Sequence, residues 1–112
     1  METTKKVVLH IVATVKTSEL EAFKQVAKQT SVEALKEPYA LSINMYQNPD
    51  SPENLIIFEE WESREYLLSD AHQKSEHIQN FFQKATPMLE KPFEYAIYDV
   101  VSEAQSPKGN NN

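Results

Sequence analysis

The apolar run Val7-Val8-Leu9-His10-Ile11-Val12-Ala13-Thr14-Val15 is rich in β-branched residues and almost unbroken. That is the pattern of a strand covered on both faces, not one bordering water. The period then changes. Leu20, Phe23, Val26, Ala27 and Ala34 recur at helical spacing, and Ser18 followed by Glu21 has the spacing of a capping box, so a helix is predicted from about Ser18 to Lys36. Pro38 disfavours helical geometry in the residue before it and should stop that helix. From Tyr39 to Gln47 the pattern alternates, with Leu41, Ile43 and Met45 on one side and Ser42, Asn44 and Tyr46 on the other. The turn-rich segment Asn48 to Asn54 leads into Leu55-Ile56-Ile57-Phe58-Glu59-Glu60-Trp61, which reads as the returning strand of an antiparallel hairpin.

Ser63 can cap a short helix carrying Tyr66, Leu67 and Leu68. Ser75 can cap a second segment whose Ile78, Phe81, Phe82, Ala85 and Leu89 form one stripe, with Pro87 ending or kinking it. Phe93 to Val101 reads as a last strand. The order β-α-β-β-α-β predicts an α+β, ferredoxin-like fold: a four-stranded antiparallel sheet with helices on one face. The expected organisation is a flexible N-terminus over 1–6, a single domain over 7–101 and a polar, disordered tail over 102–112. The helices can cover only one face of the doubly apolar first strand. A second copy of the chain is the expected cover for the other, since an open apolar sheet face is unusual for a monomer.

The charge balance, 17 acidic against 11 basic residues, gives −6 and disfavours nucleic acid or an anionic membrane as partner. Lys5-Lys6 is the only adjacent basic pair. The N-terminal stretch has neither the length of a membrane span nor the cleavage site of a signal peptide. The sequence has no cysteine, which removes thiolate chemistry and thiolate-bound metals and fits a cytoplasmic setting. Its one glycine, Gly109, lies in the tail, so no glycine-rich phosphate loop can form. Adjacent Glu59 and Glu60 point to opposite faces of a strand and cannot act as one carboxylate pair.

The remaining chemistry is carried by histidines and aromatics. His72 and His77 are five apart, without the i, i+4 spacing of a metal pair, and no metal site is expected. His77 falls in a helical first turn, where the dipole favours a neutral imidazole suited to a general base; it could equally be a helix-start residue bonded to nearby backbone. Trp61 reads either as a core residue or as an aromatic wall against a planar ligand. His10 reads as a hydrogen-bonded core or interface histidine, or, if it faces the helices, as a pocket residue beside Asn44 or Tyr46.

The stretch Ile57-Phe58-Glu59-Glu60-Trp61-Glu62-Ser63, followed by Ala71-His72-Gln73-Lys74-Ser75-Glu76-His77-Ile78-Gln79-Asn80-Phe81, resembles the antibiotic biosynthesis monooxygenase family. Its members show a strand ending in Glu-x-Trp, a helix with a His, then Ser-x-His before a second helix and a Phe. The resemblance spans about Val7 to Val101 and implies a dimeric α+β barrel, in which two four-stranded sheets face each other. It also implies one of several small-molecule activities. Haem-degrading members carry an Asn on the first strand where this chain has His10, which sets that activity aside. The implied function is a cofactor-independent monooxygenase acting on a small electron-rich aromatic, such as a quinol or polyketide-like phenol. In that reading His77 is the base, and His72, Asn44, Tyr66 and His10 orient the substrate beside Trp61. The alternatives are a proton-transfer isomerase acting on a small hydroxy-ketone and a non-catalytic ligand-binding dimer.

Overall fold

A computed structural model of the chain describes residues 5–110. Strand β1 (Val7–Thr14) leads through a 3-10 turn at Thr17–Glu19 into helix α1 (Leu20–Ala34). The hairpin β2 (Ala40–Asn48) and β3 (Ser51–Trp61) follows, then short helices α2 (Arg64–Leu67) and α3 (Asp70–Gln73), helix α4 (Glu76–Ala85) and strand β4 (Glu94–Asp99). The strands form one antiparallel sheet in the order β2-β3-β1-β4, so the most apolar strand is central, as its composition predicts. This is the predicted ferredoxin-like arrangement, with the helices on one face.

Register fixes which side chains meet the helices. Val7, Leu9, Ile11 and Ala13 of β1 stand opposite Trp61, Glu59, Ile57 and Leu55 of β3. The outermost of these are fully buried: Ala13 and Leu55 pack with Phe23, Ala27 and Ala85, and Val7 and Trp61 pack with Leu67. The core is therefore two clusters, one at each end of the sheet, with the middle of the strands between them. The other face carries Val8, His10 and Val12 beside Phe58 and Ile56. Phe58 and its neighbours Tyr46 and Tyr98 remain exposed there.

Several boundaries differ from expectation. Ser18 makes no cap; α1 starts one turn of 3-10 helix later, and Glu21 instead pairs with Lys24 at 3.3 Å. The chain leaves α1 at Ala34, earlier than Lys36, because it must turn through Pro38 to Tyr39, whose φ of 73° is left-handed. A tyrosine held there costs about 1 kcal/mol or more, so the turn is imposed by its surroundings. The hairpin tip is only Pro49-Asp50, since Asn48 and Ser51 already pair and Asn48 Oδ1 accepts the Asp50 N–H at 2.9 Å. Ser63 does cap α2, accepting the Tyr66 N–H at 3.0 Å. Between the two predicted helical pieces, Asp70–Gln73 forms a further helical turn, α3, capped by Ser69. Ser75 stands at the N-cap of α4, but its hydroxyl donates to the His72 carbonyl at 2.8 Å.

Beyond β4 the chain runs without regular structure to a 3-10 turn at Pro107–Asn110. Among the described residues its one ion pair to the domain joins Glu103 to Lys6, an exposed contact of small energetic value. Deleting Ser106 to Asn112 should leave the thermal midpoint within about 2 °C, because the segment is polar in composition and the residues described over 101–108 are exposed. A melting curve shifted by more would show that the segment packs on the domain.

Candidate functional site

Between the two core clusters, the middle of the sheet and the helices line a partly open cavity of about 320 Å³. Its walls are mostly aliphatic and aromatic, with Leu9, Ile43, Ile57 and Ile97 from the sheet and Ile78 and Phe81 from α4. Apolar walls with a few polar groups are the usual make-up of a small-molecule site. The polar lining here is Thr30 and Ser31 of α1, Glu59 of β3, His72 and Gln73 of α3, and Tyr95 of β4.

His72 is held by a residue that sequence reasoning passed over. Glu37, in the turn that follows α1, has a nearly buried carboxylate. Its Oε1 lies 2.8 Å from His72 Nδ1 and accepts the Tyr66 hydroxyl at 2.7 Å. Its Oε2 lies 2.6 Å from His77 Nε2. The turn that aims Glu37 is itself tied down: the Glu37 N–H donates to the Ala34 carbonyl at 3.0 Å, and the Glu62 N–H to the Tyr39 carbonyl at 2.8 Å. Burial raises the Glu37 carboxyl, but hydrogen bonds from His72, His77 and Tyr66 outweigh it and hold the group below its ordinary 4.5. Burial and the same carboxylate push the Tyr66 phenol up to about 12, so it stays a donor.

An ionised carboxylate only accepts, so the ring nitrogens facing it carry protons: Nδ1 of His72 and Nε2 of His77. Neutral His72 then has its lone pair on Nε2. That nitrogen has no partner among the described residues, is not a buried orphan, and belongs to a side chain that lines the cavity. The tautomer and ring plane of His72 are thus set from behind. Trp61, fully buried, packs edge-on against the same ring with centroids 4.8 Å apart. Its indole N–H donates to Glu59 Oε1 at 2.9 Å. Burial raises the Glu59 carboxyl above its ordinary value against the opposing pull of that hydrogen bond.

The structure thus brings together Trp61, Tyr66, His72 and His77. His72 is the one with a ring on the cavity, while His77 supports it through Glu37. His10 and Asn44 are not part of this group. Both pair with Phe58, on the sheet face turned away from the helices, where the His10 ring stacks on Phe58 at 4.8 Å. The expectation that His10 and Asn44 would line the pocket from the helix side does not hold, because their side of the sheet is the one the helices leave uncovered. Among the described residues, no group of three His, Cys, Asp or Glu side chains could hold a metal ion, and no helix is long and apolar enough to cross a membrane. Glu37 itself occupies the position between the two imidazoles.

Set beside known proteins, the family model described as antibiotic biosynthesis monooxygenase matches residues 6–84. The chain belongs to the antibiotic biosynthesis monooxygenase family. A Nitrosomonas europaea protein that carries the same family description superposes with a TM-score of 0.80 at 22% identity, covering 90% of this chain and 95% of that one. A conserved protein of Methanosarcina mazei Go1 gives 0.77 at 28% identity, covering 85% and 92%. A conserved Bacteroides thetaiotaomicron protein described as a possible oxidoreductase gives 0.77 at 18%, covering 87% and 99%. No curated protein sequence matches the chain.

Proposed function

We propose that the cavity is the active site of a cofactor-independent monooxygenase for a small electron-rich phenol, working as a homodimer in the cytoplasm. One observation carries this reading: His72, with Nδ1 committed to Glu37 and Nε2 without a partner among the described residues, lines a largely apolar cavity of about 320 Å³. Largely apolar walls lower the local polarity and strengthen the acid–base chemistry of a bound ligand. His72 replaces His77 as the base, because His77 has both its position and its proton committed to Glu37.

The reaction needs little else from the protein. Nε2 takes the phenolic proton, and the phenolate passes one electron to dioxygen. The resulting ring radical and superoxide join in a carbon–oxygen bond para to the phenol oxygen. The peroxide recovers the proton from His72, its O–O bond breaks, and the para C–H proton leaves with the departing oxygen as water. One oxygen atom stays as the new quinone carbonyl.

Oxygen-electrode measurements on a panel of phenols and quinols test the proposal. Oxygen uptake matched to quinone formation is the expected result. Turnover that continues unchanged without oxygen would point to the proton-transfer isomerase instead. Binding without turnover would leave a ligand-binding dimer.

A further inference from the structure

Glu59 has no place in the scheme above, yet it is the one carboxyl among the described residues that lines the cavity. In the sheet it stands between Leu9 of β1 and Ile43 of β2, with Ile57 and Trp61 flanking it along its own strand face. None of these offers a cation. From the helix side, α1 contributes Thr30, Ser31 and Ala34, and α4 contributes Ile78 and Phe81, all uncharged. The titratable groups nearby are His72 of α3, with Glu37, Tyr66 and His77 behind it, and Tyr95 of β4 at the cavity wall. The Glu37 carboxylate offsets the cation-like pull of the imidazole it holds. One Glu59 oxygen is held by the Trp61 indole, while the other has no hydrogen-bond partner among the described residues and is not a buried orphan.

We propose that Glu59 determines specificity: its carboxyl presents a proton to the cavity and selects compact, neutral ring molecules that carry a carbonyl or similar acceptor over hydrocarbons of the same shape. This deepens the reading of the cavity as a substrate site and rests on it. The acceptor oxygen sits at Glu59 while the acidic hydrogen of the same molecule meets His72, so donor and base act at two points of one substrate. An acid raised by burial beside a base oriented by a carboxylate is the arrangement in which two titratable groups hold opposite protonation roles.

Glutamine is the informative substitution. Glu59→Gln keeps an oxygen for the indole and carries a permanent donor, so it imitates the protonated acid at every pH. The chain has one tryptophan, and it touches this residue, so Trp61 fluorescence reports occupancy directly. Titrations with α-tetralone, a neutral bicyclic ketone, and with tetralin, its hydrocarbon counterpart, should show preference for the ketone of about tenfold, the scale of one good hydrogen bond. In the wild type that preference should fade as pH rises through the raised folded value of the carboxyl, which then loses the proton it donates. Glu59→Gln should keep it across the whole range, and Glu59→Leu should lack it. Equal affinity for the two probes, or the same pH course in wild type and Glu59→Gln, would overturn the inference, as would no binding of the ketone. His72→Gln should abolish turnover but leave the ketone preference intact. Failure of the base reading and failure of this inference therefore appear in different measurements.

Discussion

Replacing Glu37 with alanine should lower the thermal midpoint by roughly 10–20 °C and leave less than about one-hundredth of any turnover. The stability loss follows from what the carboxylate holds. His72 is 6% exposed, and without Glu37 its Nδ1–H has no replacement acceptor among the described residues. An unpaired buried polar group costs about 1–3 kcal/mol. The Tyr66 hydroxyl and the His77 ring lose the same partner but are less buried and can rehydrate in part. About 2–3 kcal/mol overall corresponds to the stated shift for a domain near this size. Turnover falls for a separate reason: an imidazole free to rotate or to swap tautomers no longer keeps its lone pair on the cavity.

The sign of the pH dependence follows from the lowered Glu37 carboxyl. A group that ionises more readily when folded adds stability above its ordinary 4.5, and that stability is lost as pH falls through the folded value. Wild-type melting should therefore show an acid limb that is shallower in Glu37→Ala. Glu59 acts in the opposite sense: its raised carboxyl favours the folded state on the acid side and loses that contribution as pH rises through its folded value. The double comparison with Glu59→Gln separates the two. Unchanged melting and full activity in Glu37→Ala would remove the carboxylate from the site.

Glu37 was hidden in the sequence for a physical reason. Its partners His72 and His77 are 35 and 40 residues away, and a lone carboxylate before Pro38 looks like any solvated turn residue. The order of the elements was legible because hydrophobic period alone carries it. The family resemblance marked Trp61, His72 and His77 through their spacing, and the structure brings these three together with Tyr66. What spacing could not say is how two histidines five apart reach one carboxylate. The break at Ser75 between α3 and α4 re-aims the second ring, and a continuous helix would have put the two on different faces. Strand parity likewise sets which residues of β1 share the side of His10 but carries no information on which face the helices cover. The cavity depends on the volumes left between two packed clusters, which no linear pattern records.

A lysine at Ile56 should turn a dimer into monomer or aggregate. The sheet face away from the helices carries Val8, Val12 and Ile56, with the His10–Phe58 stack between them and Tyr98 6.2 Å from His10. Tyr46, Phe58 and Tyr98 are 53%, 39% and 52% exposed, a larger contiguous apolar and aromatic surface than a small monomer usually shows to water. A domain of 112 residues also gains much by covering it, because so little of its surface is otherwise removed from water. Ile56 pairs with Val12 and Tyr46 near the centre of that face, so a lysine there would bury an unpaired ammonium at the interface. The cost is several kcal/mol, enough to weaken association more than about a hundredfold. Ile11→Lys is the less useful choice, since Ile11 lines the cavity and its loss would damage the fold itself. Light scattering should give twice the 12.9 kDa chain mass for the wild type at micromolar concentration. Gln25→Lys, on the exposed side of α1, should leave that mass unchanged. A wild type that stays monomeric at tens of micromolar, or an Ile56→Lys protein that stays dimeric, would mean that this face is not where two copies meet.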